Sequence, residues 1–427
     1  MNDYHRYVCP HCGHILFSIK GNYTCPICRH LMMQKDIKRH QTRPVILFAI
    51  LVVVFLSALL FYQNHGFENI FKLSLPWQSK ESSTEEPVLQ APETMNPTPL
   101  STRTPDLHQK LLNGMLERNA VITVFGYEID EIKKETHTIL CDHPELFWVS
   151  SVSYLIQRSD FGTKTEITPI IYDVENVAAK EDQLNSIVYG ISSLIPEDAS
   201  DYEKALFVHD YIVNTTEYDH EAAAKDEYSD ASCAYGCLVN HKAVCGGYAK
   251  AYKLMMDYLG IPCNYVTGDI IDRGLHAWNT VTINGISSFV DVTWDDAVFS
   301  DGETEGLCSH EYFCVTTQEL SRTHNLDPEQ DIPRCDSSDC DYFRVNQLYI
   351  EDDPVQQAIT IIKSSSAEKW MEIKFSSPEQ NEAACQQIFY GGALNDYMLQ
   401  LKWNGYHIRY SAKPTSQVLK YRIYRDE

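Results

Sequence analysis

Positive charge is scarce in this chain: 35 Lys and Arg stand against 59 Asp and Glu, a net charge of −24. The scarcity is uneven. Residues 1–43 hold seven Lys or Arg against two acids, so the whole deficit falls on residues 44–427. A phosphate backbone needs a basic surface, and the strong acidic excess of the large part argues against nucleic-acid binding by it. An apolar stretch at the extreme N-terminus is also missing. The one long apolar run comes after a polar, Cys-rich segment, and this excludes reading it as a secretory signal peptide. Residues 78–105 lack apolar periodicity and are rich in Pro, Ser, Thr and Glu. Such a stretch cannot bury enough surface to fold and is expected to be a flexible spacer.

The apolar run itself, Pro44–Tyr62, is 19 residues without a charge, and its polar content is a single Ser. That length crosses a hydrocarbon core, whereas a buried globular helix rarely runs so far without a polar break. Lys35, Lys38, Arg39 and Arg43 crowd its N-terminal flank, and Glu68 is the first charge after it. The positive-inside rule then places the N-terminus in the cytoplasm and residues 63–427 outside the membrane, held off it by a linker over 63–107.

Ahead of the span, Cys9-Pro10-His11-Cys12 and Cys25-Pro26-Ile27-Cys28 form C-x2-C-x12-C-x2-C. Two thiolates two residues apart chelate one ion from a tight knuckle, and two knuckles complete a closed tetrahedral zinc site. The expected ligands are Cys9, Cys12, Cys25 and Cys28; His11, His14 and His30 are then surplus. Two disulfides are disfavoured in a reducing cytoplasm. Residues 1–34 read as a zinc ribbon that folds on binding its metal, with His14–Lys20 and Asn22–Thr24 as short paired strands. The role expected of it is structural, or the binding of a cytoplasmic protein partner.

The outer region has clear helical and strand signals. Leu184, Ile187, Val188 and Ile191 form a helical stripe within residues 178–194. Ser200 and Glu203 make a capping-box pair that opens a helix carrying Tyr202, Ala205, Leu206, His209, Ile212 and Val213 on one face. His209 is expected to be a satisfied core histidine. Cys245 starts another helical pattern through Tyr248, Ala251, Tyr252, Met255 and Leu259, ended by Gly260 and Pro262. Cys263–Gly268 follows as a strand. Ala277–Ile283 and Ile286–Trp294 flank Asn284-Gly285, the preferred pair for a type I′ hairpin turn. Pairing Ile283 with Ile286 puts Trp278 opposite Asp291 and makes His276 a diagonal neighbour of that carboxylate.

This placement has a chemical reading. A thiol at a helix N-terminus meets free N–H groups and about half a positive charge, which stabilise the thiolate. Cys245 would be the nucleophile, His276 the base that takes and returns its proton, and Asp291 the acid that orients His276. The Cys245 backbone N–H is a candidate oxyanion donor, with Gly246 and Gly247 letting a substrate backbone approach.

The stretches AVCGGYAKAYKLMMDYLGIPCNYVTGD, LHAWNTVTINGISSFVDVTWDD and SHEYFCVTTQELSRTH resemble the bacterial transglutaminase-like superfamily, roughly over residues 178–325. The resemblance implies an α+β fold with a papain-like core, in which the helix that starts at the nucleophile packs on an antiparallel sheet. It implies the same roles for Cys245, His276 and Asp291. It also implies an upstream oxyanion side chain, for which Tyr218 is the candidate, a buried core Tyr being the alternative reading. Trp278 and Trp294 would wall the site. The extra cysteines near it, Cys233 and Cys237, depart from the family pattern.

On either side, residues 108–175 and 345–427 each read as β-α-β-β, accessory modules around a core over 176–330. Ten of the fourteen cysteines lie past the membrane span. Setting Cys245 aside leaves an odd number, with Cys335 and Cys340 expected to form a local bridge. The sequence thus points to a membrane-anchored thiol enzyme acting on amide bonds of protein or peptide substrates through a Cys thioester, as peptidase, amidase or transamidase. No catalytic cofactor is expected. The competing readings are a non-catalytic cell-surface adhesion or scaffold module, and a sensor linked to the zinc ribbon.

Overall fold

The computed structural model describes residues 6–8, 15–17, 23–24, 31–32 and 105–425, apart from 161, 174, 226, 297–306, 366–368 and 414. Two compact units divide at Asn96. In the first, Arg6–Val8 pairs antiparallel with Ile15–Phe17, and Tyr23–Thr24 with Leu31–Met32. Each hairpin brackets one Cys-x2-Cys pair in the sequence. This replaces the expected pairing of His14–Lys20 with Asn22–Thr24, for a simple reason: only Gly21 would join those strands, and a hairpin turn takes two residues. The four cysteines, the run Pro44–Tyr62 and the spacer to residue 104 lie outside the described residues. Among those described, no helix is long and apolar enough to cross a membrane.

The second unit is α+β: among the described residues, three sheets of three to five strands, a two-stranded parallel pair and the helices on them. Its centre is a five-stranded antiparallel sheet in the order Phe313–Val315, Ile286–Val290, Gly274–Ile283, Cys263–Ile270, His324–Leu326. Helix Cys245–Tyr258 packs on it and presents Tyr248, Ala251, Tyr252, Met255 and Met256, all fully buried. Asn279 on the central strand donates to the Ala249 carbonyl at 3.0 Å, a polar tie between sheet and helix. Gly260 ends the helix at φ +73°, a conformation in which a Cβ is strained. An earlier helix, Asp201–Thr215, opens with the full Ser200–Glu203 capping box.

The hairpin has the expected register. Ile283 pairs with Ile286 and Asn279 with Val290, and Asn284 and Gly285 sit at φ 53° and 80°, as a type I′ turn requires. Pairing stops at Val290. Asp291 then caps the short helix Val292–Asp295 in place of extending the strand, its carboxylate accepting from the N–H groups of Thr293 and Trp294.

The flanking modules share a topology. Ile122–Phe125, Val149–Ser159 and Gly162–Ile171 form one antiparallel sheet, and Trp370–Phe375, Tyr406–Ala412 and Val418–Arg425 form most of another. In both, the last strand lies between the first two, and Ile129–Asp142 and Pro378–Cys385 are the equivalent helices. Helices Pro105–Leu116, Pro354–Ser364 and Asn395–Trp403 add to the expected pattern. The first of these starts inside the stretch read as linker. The last buries no residue, so no apolar stripe announces it.

The N-terminal module shares the main apolar core with the Cys245 helix, whereas the C-terminal module has its own around Ile373, Phe375, Leu419 and Tyr421. Buried charge joins that module to the centre. Lys374 contacts Glu319 at 2.7 Å and Asp341 at 2.5 Å, and Lys420 contacts Glu311 at 3.0 Å.

All ten described cysteines carry free thiols. The expected Cys335–Cys340 bridge is not formed, because the two side chains belong to different apolar clusters. Cys335 packs with Val266, Trp278 and Phe289, and Cys340 with the main core.

Candidate active site

Cys245 is the first residue of its helix, following Val244 in extended conformation (φ −95°, ψ 174°). The thiol therefore lies where the first N–H groups have no partner within the helix. Eight of the ten described thiols are buried; Cys245 and Cys308 alone are half-exposed. The two glycines after it play different parts. A Cβ on Gly247 would meet the Ala231 carbonyl oxygen at 2.3 Å, so this glycine lets the helix start press against the turn at Asp230–Ser232. On Gly246 the nearest atom would be the Tyr265 hydroxyl, at an ordinary 3.4 Å. The close approach at Gly247 thus belongs to the fold, not to a substrate backbone.

His276, on the central strand, is buried beside the helix start. Its Nε2–H donates to Asp291 Oδ2 at 2.8 Å. A further hydrogen bond joins its side chain to Cys245, so the ring bridges thiol and carboxylate. Burial pushes the imidazole down, but the Asp291 charge, their hydrogen bond and Cys245 outweigh it and push it up to about 10. Burial likewise raises the Asp291 carboxyl. The charges and hydrogen bonds of His276 and His324 reverse this and hold it well below the usual carboxylate range. Trp278 stacks near the His276 ring at 5.8 Å between centroids, and Trp294 lies at 6.4 Å, so both indoles wall the imidazole.

Tyr218 lies in the two-residue strand Glu217–Tyr218, whose parallel partner Lys242–Ala243 leads directly into the Cys245 helix. Its hydroxyl accepts from the Cys245 backbone N–H; burial and the neighbouring thiol push it up to about 12, so it stays protonated at neutral pH. The four expected residues therefore come together, with Tyr218 on the very N–H named as an oxyanion donor.

Sequence reasoning gave no role to His324. This residue is buried, donates through Nε2 to the same Asp291 oxygen at 3.0 Å, and is fixed at Nδ1 by Thr323 Oγ1 at 2.8 Å. It ends the stretch SHEYFCVTTQELSRTH, and that position is its one signal in the sequence. Asp295 was missed as well: it is fully buried, receives His209 Nε2–H at 3.1 Å and accepts from the Tyr312 N–H. His209 is fully buried, with Asp210 at Nδ1 and Asp295 at Nε2.

A thiol at a helix start, an imidazole and a carboxylate in series define the class. Residues 192–294, which include all three, match the transglutaminase-like superfamily, and the chain carries a transglutaminase-like domain. Over 115 residues it is 31% identical to mouse kyphoscoliosis peptidase and 30% identical to the human protein. Each match covers 24% of this chain but only 17% of the relative's length. Among solved structures, a TGase aligns over 40% of this chain and 50% of its own at 17% identity, with a TM-score of 0.25. A Cytophaga hutchinsonii protein solved as a candidate cysteine protease aligns over 34% and 62% at 15% identity, with a TM-score of 0.22.

Proposed function

We propose that the domain is a thiol acyltransferase or hydrolase that attacks amide carbonyls of protein or peptide substrates. The observation that carries this reading is the continuous contact from Cys245 through His276 to Asp291 at a helix N-terminus. His276 takes the thiol proton on the ring nitrogen that does not face Asp291. The sulfur attacks the carbonyl carbon, and the negative charge passes to the former carbonyl oxygen. The Cys245 N–H and the Tyr218 O–H face that oxygen once the contact between them opens. Collapse breaks the C–N bond, His276 returns its proton to the leaving amine, and a thioester remains on Cys245. Water or a second amine then releases the acyl group. Asp291 keeps His276 in one orientation and favours its charged form. Two of the relatives are named as peptidases, which is in keeping with attack on an amide.

We further propose where the domain works. It stands outside the membrane on one helix, Pro44–Tyr62, with Cys9, Cys12, Cys25 and Cys28 holding a structural zinc in a cytoplasmic ribbon. The composition of the flanks supports this arrangement.

The test is a mixed peptide library supplied with a labelled primary amine. Amide cleavage or amine incorporation is expected with the native chain and should vanish with Cys245→Ala. Turnover that survives this substitution, or none from a folded native protein, would sink the proposal in favour of a binding module.

A further inference from the structure

Below the catalytic acid lies a second cluster of polar side chains that the reaction does not use. His209 Nδ1 and His310 Nε2 each lie 3.0 Å from Asp210 Oδ1, and Cys308 Sγ lies 3.5 Å from the same oxygen. Cys308 also contacts both imidazoles. One ligating atom from each residue lies within 4.8 Å of every other.

As a hydrogen-bond network this arrangement is awkward. The outer nitrogen of each ring is already committed: His209 Nε2 to Asp295 Oδ2 at 3.1 Å, and His310 Nδ1 to Glu372 Oε2 at 3.3 Å. For both rings to donate to Asp210 as well, both must be imidazolium, buried side by side with centroids 5.4 Å apart. Burying two like charges so close is costly even with carboxylates around them. Neutral rings resolve the conflict. Their outer N–H groups donate to Asp295 and Glu372, and their inner lone pairs converge with a carboxylate oxygen and a sulfur.

We propose that His209, Asp210, Cys308 and His310 form a closed, structural zinc site. Two nitrogens, one oxygen and one sulfur suit this borderline-soft ion. Ligands at zinc distances on a tetrahedron stand about 3.3 to 3.5 Å apart, so the three spacings to Asp210 Oδ1 need shifts of only a few tenths of an ångström, and the rest of the set, all within 4.8 Å, closes by side-chain rotation. Each histidine has a buried carboxylate behind it, the outer support that metal-bound imidazoles use. Asp210 is 35% exposed and opens an entry path. The ion would rivet helix Asp201–Thr215 to the segment leading into Phe313–Val315. Through Asp295 and Glu372 it would also brace the turn after Asp291 and the C-terminal sheet.

Zinc content of the purified full chain, after loading and dialysis, tests the proposal. Cys308→Ser combined with His310→Gln should carry one equivalent less than the native chain. Changing Cys9, Cys12, Cys25 and Cys28 together to Ser should leave that equivalent in place. In this ribbon variant Co²⁺ should show a thiolate-to-metal charge-transfer band that Cys308→Ser removes. If the double variant does not fold, the cobalt titration decides. Equal zinc in the folded native and double-variant proteins would overturn the site, as would a folded ribbon variant that takes up no cobalt.

Discussion

Asp291 accepts from four donors, His276 Nε2, His324 Nε2 and the N–H groups of Thr293 and Trp294. Replacing it by Asn sets an amide against imidazole donors, so His276 survives but loses its orientation. We expect kcat/KM to fall by about 10² to 10⁴, with His276→Ala at least as damaging. A pH effect accompanies this. His276 sits above its ordinary value of about 6.5, so its pairing with Asp291 stabilises the fold fully below that pH. The contribution is lost as pH rises through about 10. The stability gap between the native protein and Asp291→Asn, measured by urea unfolding, should therefore narrow from about pH 6.5 to about pH 10. A gap that widens over that range would contradict the pairing. Cys245, His276 and Asp291 were legible because each lies beside a local signal: a helix start, a strand and a hairpin. His324 was not, because its meaning depends on a strand at the far side of the sheet.

Elements were read well where a local rule operates. Asn284-Gly285 set the hairpin turn and its register, Ser200–Glu203 the helix start, and Gly260 the helix end. The reading erred where chain direction changes. Asp291 was placed in a strand, yet its side chain caps the helix that replaces that strand. Gly246 and Gly247 looked equivalent in sequence, and only packing against Ala231 separates them. Gly247→Ala should therefore destabilise by about 1 to 3 kcal/mol as the helix start is pushed off its turn, and activity should fall with it. Gly246→Ala should be nearly silent in stability. Thermal unfolding of the pair checks the contrast, and equal effects would refute this account of the helix start.

At the scale of the molecule, the two β-α-β-β modules were visible as patterns, but their attachment was not. Glu372 and Lys374 sit at alternate positions of one strand, and Lys420 lies opposite Glu372 on the next. In the structure they are buried and paired with Ser309, His310, Glu311, Glu319 and Asp341. Alternation reveals that a face is polar, not that another domain covers it. Lys374→Met would leave Glu319 and Asp341 buried without a cation, at a cost of about 3 to 5 kcal/mol by urea denaturation. A loss below about 1 kcal/mol, the range of exposed pairs, would show that this contact is not a buried one. For the chain as a whole, protease added outside intact cells should digest residues 63–427 and spare residues 1–43. The reverse pattern would overturn the orientation drawn from Lys35, Lys38, Arg39 and Arg43.

The most direct test of the central claim is the rate at which iodoacetamide alkylates Cys245, resolved by mass spectrometry from the other thiols. In the native protein this rate should exceed that of an ordinary exposed thiol at neutral pH, because His276 holds the proton. It should drop when His276 is changed to Ala or Asp291 to Asn. An ordinary rate, unmoved by either substitution, would contradict the catalytic reading of the site.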